Sequence, residues 1–251
     1  MSYTGPQFFN DEQIFATYTQ RRTNAGSANN ILEWPIFREL VGAVQGLRIL
    51  DLGCGDATFG REALAQGCAT YLGVEGSQKM VELGCQTLVG TTGQVIHAGM
   101  ESWVYPVNHF DLVISRLALH YVADIAALFV RVYAALAVGG RFVFSIEHPV
   151  ITSCSNARPD GEGKRQGWLV DDYFTTGPRL VKWLGGEVIK VHHTVEDYFT
   201  ALQGAGFAVI ALRESRPQRA LFTDENEYAR RQRIPLMLFL AGQRNEGMPK
   251  I

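Results

Sequence analysis

Apolar residues recur along this chain in two rhythms. Over 33–44, Trp34, Phe37, Leu40, Val41 and Val44 fall at helical spacing. That pattern predicts a helix beside the first strand, within a partly polar, helical stretch covering 1–46. From 47 to 148 short apolar runs alternate with helical stretches. The runs at 48–52, 69–74, 94–97, 111–115 and 141–146 read as strands; 58–66, 78–88 and 123–136 read as helices. Gly67 closes the first of these helices, and Gly139-Gly140 reads as a break before the fifth strand. Strands separated by helices of this length imply crossover units and a parallel sheet. A near-continuous apolar strand such as Leu112-Val113-Ile114 fits a sheet covered on both faces.

The texture changes after 148. Up to about 187 the chain is rich in Pro, Gly, Trp and Tyr with little periodicity, which predicts an irregular lid or binding loop. Its aromatic residues argue for packing over something rather than for disorder. A helix over 195–205 closed by Gly206, strands at 207–212 and 235–241, and a helical or charged loop at 225–233 complete the reading. One domain is expected: N-terminal helices (1–46), a core (47–148), a substrate cap (149–194) and a C-terminal helix with strands (195–251).

Composition narrows the function. The 251 residues are 47% hydrophobic and 19% charged, with a net charge of -2. That balance gives no basic surplus for nucleic acid or an anionic membrane. No apolar run approaches the roughly 20 residues needed to cross a bilayer. The first ten residues lack a signal-peptide layout, and a cytoplasmic protein is expected. Cys54, Cys68, Cys85 and Cys154 form no CxxC pair, so reduced thiols are expected rather than zinc or disulfides.

Chemistry concentrates at Ile49-Leu50-Asp51-Leu52-Gly53-Cys54-Gly55-Asp56, where a strand turns into a helix. Glycines there permit positive φ and let a ligand approach the backbone, and the helix N-terminus favours a negative group. By itself such a turn equally well ends any strand. Glu75 closes the next strand at the distance where a carboxylate accepts from ribose hydroxyls.

These residues, with Gly73-Val74-Glu75-Gly76-Ser77, Phe110-Asp111-Leu112-Val113-Ile114-Ser115 and Leu136-Ala137-Val138-Gly139-Gly140, resemble the class I S-adenosylmethionine-dependent methyltransferases over roughly 47–147. The nicotinamide fingerprint wants a third glycine where this chain has Thr58. The resemblance implies an α/β, Rossmann-like, doubly wound sheet of seven mostly parallel strands. Helices would cover both faces, with a cap inserted between strands five and six. It also implies S-adenosylmethionine as cofactor, with S-adenosylhomocysteine as product. Asp51 would lie near the cofactor's amino group, and Gly53, Cys54 and Gly55 along its methionine part. Glu75 would hold the ribose, with Gly76, Ser77 and Met80 beside the adenosine. Gly99, Met100 and Glu101 would meet the adenine; many relatives have Asp where this chain has Gly99. Ser115, Arg116 and Leu117 would line the sulfonium. Tyr18 and Arg22 resemble an N-terminal pair that closes over the cofactor's carboxylate, with Arg21 an equal candidate. Leu119-His120-Tyr121-Val122 and Glu147-His148-Pro149 resemble bacterial small-molecule methyltransferases, a subgroup that includes toxoflavin-pathway enzymes.

A base is needed only for an acceptor protonated at working pH, and histidine suits that task. His120 and His148 follow the fourth and fifth strands, on the side where open sheets bind ligands. They are the candidate catalytic residues; the competing reading is that each caps a helix or bonds a backbone carbonyl. Trp168, Tyr173, Trp183 and His193 are candidates to wall the acceptor pocket, or merely to anchor the cap. His192 and His193 would face opposite ways in a strand, and no metal site is expected. The expected activity is methyl transfer to an oxygen or nitrogen of a small aromatic or heteroaromatic metabolite, by a monomer or homodimer. The rival readings are a nicotinamide-dependent oxidoreductase and a cofactor-binding protein without catalysis.

Overall fold

The computed structural model describes residues 2–22, 26–153, 156–159 and 165–245. Cys154 lies outside them. The central sheet holds β1 (Arg48–Leu52), β2 (Thr70–Glu75), β3 (Gln94–His97), β4 (Phe110–Arg116), β5 (Leu136–Glu147), β6 (Ala208–Glu214) and β7 (Met237–Gln243). Their order is β6-β7-β5-β4-β1-β2-β3. All neighbours are parallel except β7, which runs antiparallel to both β5 and β6.

Alternation along the strands explains how the sheet is covered. Leu50, Leu52, Val113, Phe142 and Phe144 face one buried layer. Ile49, Leu112, Ile114, Val143 and Phe239 face the other. A strand buried on both faces must be apolar at successive positions, as Leu238, Phe239, Leu240 and Ala241 of β7 are. The covering helices are α1 (Glu12–Arg22), α2 (Trp34–Val41), α3 (Thr58–Ala65), α4 (Gln78–Thr87), α5 (Ile125–Ala135), α6 (Pro149–Thr152), α7 (Val195–Gly204) and α8 (Glu225–Arg231). Side-chain oxygens that satisfy open backbone N–H groups fix where several of these helices begin. The Ser77 hydroxyl accepts from Met80 on α4, and the Asp124 carboxylate from Ala127 on α5. Thr194 and Asp197 form a reciprocal capping box on α7.

Three sequence expectations give way. The cap is not an irregular loop where it is described. Asn156–Pro159 pairs with Arg165–Leu169, and Gly177–Trp183 forms a hairpin with Gly186–His192. Leu184 and Gly185 both take positive φ, 50° and 83°, which matches the twist of a two-residue hairpin turn. The 1–46 segment is not all helical: Ser2–Thr4 is a strand running parallel to Gly186–His192, followed by 3-10 helical turns over Gly5–Asn10. Chain start and cap therefore share one three-stranded sheet. Finally, Gly139-Gly140 does not break the strand, because β5 runs through both residues.

Candidate functional site

β1 lies where the strand order reverses, between β2 and β4. In open α/β sheets ligands bind beyond the carboxyl ends of strands at such a point. A cavity of about 1130 Å³, counting its open mouth, lies there.

Gly53 leads out of β1 at φ 72°, and a Cβ there would lie 2.5 Å from the Ala118 Cβ. Only glycine permits that approach between the β1 turn and the loop after β4. Gly55 follows at φ 57°. Glu75 ends β2 with one carboxylate oxygen accepting from the Gly55 N–H at 2.9 Å and the other from the Ser77 N–H at 2.8 Å. The glycine turn and the β2 acid are thereby locked into one unit. Burial pushes the Glu75 carboxyl above the usual carboxylate range, against the backbone N–H groups that lower it.

Asp51 Oδ2 accepts from the Tyr71 hydroxyl at 2.8 Å. Its Oδ1 is buried and has no hydrogen-bond partner among the described residues. A buried carboxylate oxygen left open is costly, so it suits a ligand's cationic donor. Arg22 donates to Tyr18 Oη at 3.2 Å and pairs with Asp56 at 3.1 Å. Arg21 is not among the cavity residues.

Tyr18, Arg22, Asp51, Gly53, Cys54 and Gly55 all line this cavity, as do Glu75, Gly76 and Met80. Gly99, Met100, Glu101, Arg116 and Leu117 complete the wall from the β3 and β4 loops. Glu101 also pins the approach to α5, accepting from the Ala123 N–H at 3.3 Å. Ser77 and Ser115 are not on the cavity. Ser77 is fully buried as the α4 cap and donates to Asn10. Ser115 donates to the Leu52 carbonyl at 2.8 Å, tying β4 to β1.

The histidines and cap aromatics do not line this cavity. His120 is buried, and its Nδ1 accepts from the Glu147 N–H at 3.4 Å. Burial holds its imidazole down to about 4, so it is neutral at ordinary pH. His148 caps α6 by accepting from the Val150 N–H, and its other ring nitrogen meets Glu214 at 3.0 Å. His193 bonds the Val122 carbonyl, and His192 bonds the Tyr173 carbonyl and Thr152. Trp168 lies under the Arg233 guanidinium. Tyr173 packs on His192 and receives the Val195 N–H at the start of α7. Trp183 stacks on Phe8 at 5.5 Å and meets Phe9 and Tyr18 edge-on. It supports the cavity rim from behind.

Sequence reasoning missed Pro6, Phe9, Asn29, Asp56 and Tyr121, all of which line the cavity. No local signal marks Pro6 and Phe9, since the remote pairing of Ser2–Thr4 with the cap brings them in. Tyr121 had one: it sits next to His120 in the loop after the fourth strand. Among the described residues no cluster of His, Cys, Asp and Glu could hold a metal ion, and no helix is long and apolar enough to cross a membrane.

A glycine turn at a strand-order reversal, backed by an acid on the next strand, defines a Rossmann-like site for an adenosine-bearing ligand. A methyltransferase-domain family model matches residues 50–144. An S-adenosylmethionine-dependent methyltransferase from Mesorhizobium loti is 38% identical, covering 87% of this chain and 100% of that one, with a TM-score of 0.78. A Listeria monocytogenes structure described as a putative S-adenosylmethionine-dependent methyltransferase is 30% identical over 85% and 97%, also at a TM-score of 0.78. A ubiquinone biosynthesis O-methyltransferase from Bordetella avium is 32% identical over 45% of this chain and 46% of its own length. An uncharacterized Haemophilus influenzae protein is 27% identical over 95% and 97%. The chain belongs to the S-adenosylmethionine-dependent methyltransferases. The open Asp51 oxygen and the backbone cradle at Gly53 and Gly55 fit that cofactor, whose ammonium and adenosine need an acceptor and a close backbone.

Proposed function

We propose that the protein methylates an oxygen or nitrogen of a small aromatic or heteroaromatic metabolite by direct displacement. One observation carries this reading: the cavity that holds Asp51 and Glu75 is rimmed by the rings of Phe9, Tyr18 and Tyr121. Phe9 lies 4.9 Å from Tyr18 and 6.4 Å from Tyr121, each edge-on, so the rim is a continuous apolar wall. Such a wall buries flat ligands well. The chain's net charge of -2 adds no attraction for nucleic acid.

When bound, the cofactor supplies an electrophilic methyl on its sulfonium. Glu75 takes the ribose hydroxyls on its remaining lone pairs, and Asp51 Oδ1 takes the ammonium. Arg22, oriented by Tyr18 and Asp56, faces the carboxylate. Gly76, Met80 and the Gly99-Met100-Glu101 loop enclose the adenosine. The N-terminal turn excludes water and the rim aligns the acceptor, which is what a displacement asks of a protein. No histidine lines the cavity among the described residues. The reading therefore invokes no histidine base, and suits an acceptor that arrives as its nucleophilic form, an ionised phenol or a neutral ring nitrogen. The Bordetella avium relative, an O-methyltransferase by name, favours oxygen.

The test is a screen of phenols, catechols and nitrogen heterocycles with S-adenosylmethionine, read by mass spectrometry of the products. Methylated products from this set are expected. Turnover confined to aliphatic or macromolecular acceptors would overturn the reading.

A further inference from the structure

Arg116 puts a positive charge on the wall of a cavity that must take a cation. Its guanidinium is half-enclosed, 4.1 Å from the Trp34 ring centroid. Its field reaches Asp51 across the cavity. Glu33 sits behind it, fully buried, and is not among the cavity residues. The two pair in a fork: Nε to Oε1 at 3.1 Å and Nη2 to Oε2 at 2.5 Å. Ser145 on β5 donates to the same carboxylate at 2.8 Å, fixing its position. Glu33 is also within electrostatic reach of Arg22, the other cation on the wall. A buried carboxylate is expensive to keep.

We propose that Glu33 is a positioning residue that cancels and holds Arg116, so that the cavity accepts the cationic sulfonium of S-adenosylmethionine. The inference rests on the cavity being the cofactor site. S-adenosylmethionine and S-adenosylhomocysteine differ by one methyl and one positive charge. Glu33 therefore acts on their relative affinity, and a purely structural ion pair does not. One uncancelled unit charge on the wall of such a partly enclosed cavity corresponds to roughly a tenfold change in Kd for a singly charged ligand.

The experiment is calorimetric titration of both ligands into wild type, Glu33→Gln, Arg116→Gln and the double variant, each checked for folding by circular dichroism. Glu33→Gln leaves the guanidinium uncancelled and should raise the ratio of the S-adenosylmethionine Kd to the S-adenosylhomocysteine Kd about tenfold. Arg116→Gln should shift the ratio the opposite way, and the double variant should return it to within about twofold of wild type. Asp111→Asn breaks the Arg48–Asp111 pair, which joins the far ends of β1 and β4, and should leave the ratio at wild type. Loss of folding in Glu33→Gln leaves the opposite shift in Arg116→Gln as the deciding result. An unchanged ratio in the folded single variants, or a shift of the same sign in both, overturns the proposal. Failure of wild type to bind either ligand overturns the cavity assignment itself.

Discussion

At the scale of single residues, burial decides which groups carry charge in the cavity. It pushes the Asp51 carboxyl up to about 7, against Tyr71 and Arg116, which hold it down. Between about pH 4 and pH 7 the folded protein therefore holds a proton that the unfolded chain has released. Stability of the ligand-free protein should fall as pH rises through that window and level off above it. Asp51→Asn removes the burden. Its ligand-free form should be more stable than wild type at pH 8, by roughly 1–4 kcal/mol, and nearly matched at about pH 3.5, below the window. Denaturant titrations at the two pH values check this. The same variant should bind S-adenosylhomocysteine more weakly, because its amide cannot accept an ammonium as a carboxylate does. Glu75→Ala should raise the S-adenosylhomocysteine Kd by about 30-fold or more, since two hydrogen bonds to a charged group disappear together. Unchanged affinity in a folded variant would contradict the ribose assignment. His120→Ala should lower stability by about 1–3 kcal/mol as a cavity in packed surroundings. Its dependence of turnover on pH between 6 and 8 should match that of wild type, because His120 stays neutral there.

At the scale of elements, local pattern and distant pairing divide the account. Asp51, Gly53 and Glu75 were legible because the strand-turn-helix unit that positions them is encoded within a few residues. Glycine spacing and an acid at a strand end survive any tertiary context. His120 and His148 were read onto the correct strand ends, but their rings bond the Glu147 and Val150 N–H groups and do not line the cavity. Which way a side chain points after a strand depends on the cap above it, and the cap hairpin had no pattern strong enough to be read. Trp183 shows the same limit. The sequence marks it as an aromatic in a glycine-rich stretch, while its stacking on Phe8 depends on the pairing of Ser2–Thr4 with Gly186–His192. That pairing makes the N-terminal turn and the cap one unit. Trp183→Ala should loosen the turn as a whole, exposing it to limited proteolysis and weakening S-adenosylhomocysteine binding several-fold. A proteolysis pattern identical to wild type would contradict the coupling. Bound cofactor should restore protection, because Tyr18 and Arg22 belong to the same segment.

At the scale of the whole molecule, one sheet serves two jobs. Its buried centre, apolar on both faces, fixes the ends of β1, β2 and β4 rigidly enough to hold a polar cradle. The N-terminal segment then lines the cradle from above, backed by the hairpin beyond β5, and neither contributes to that sheet. The glycine turn and the acid of the cavity thus lie in the part of the chain whose pattern is strongest, while Pro6 and Phe9 on its rim come from a part whose pattern is weak. The central claim is that the Asp51–Glu75 cavity binds the cofactor. Calorimetric titration of S-adenosylhomocysteine into wild type and Glu75→Ala, with NAD in parallel, tests it most directly. Micromolar, one-to-one binding to wild type, strong loss in the variant and no heat from NAD are predicted. NAD binding, or S-adenosylhomocysteine binding that is indifferent to Glu75 in a folded variant, would contradict the account.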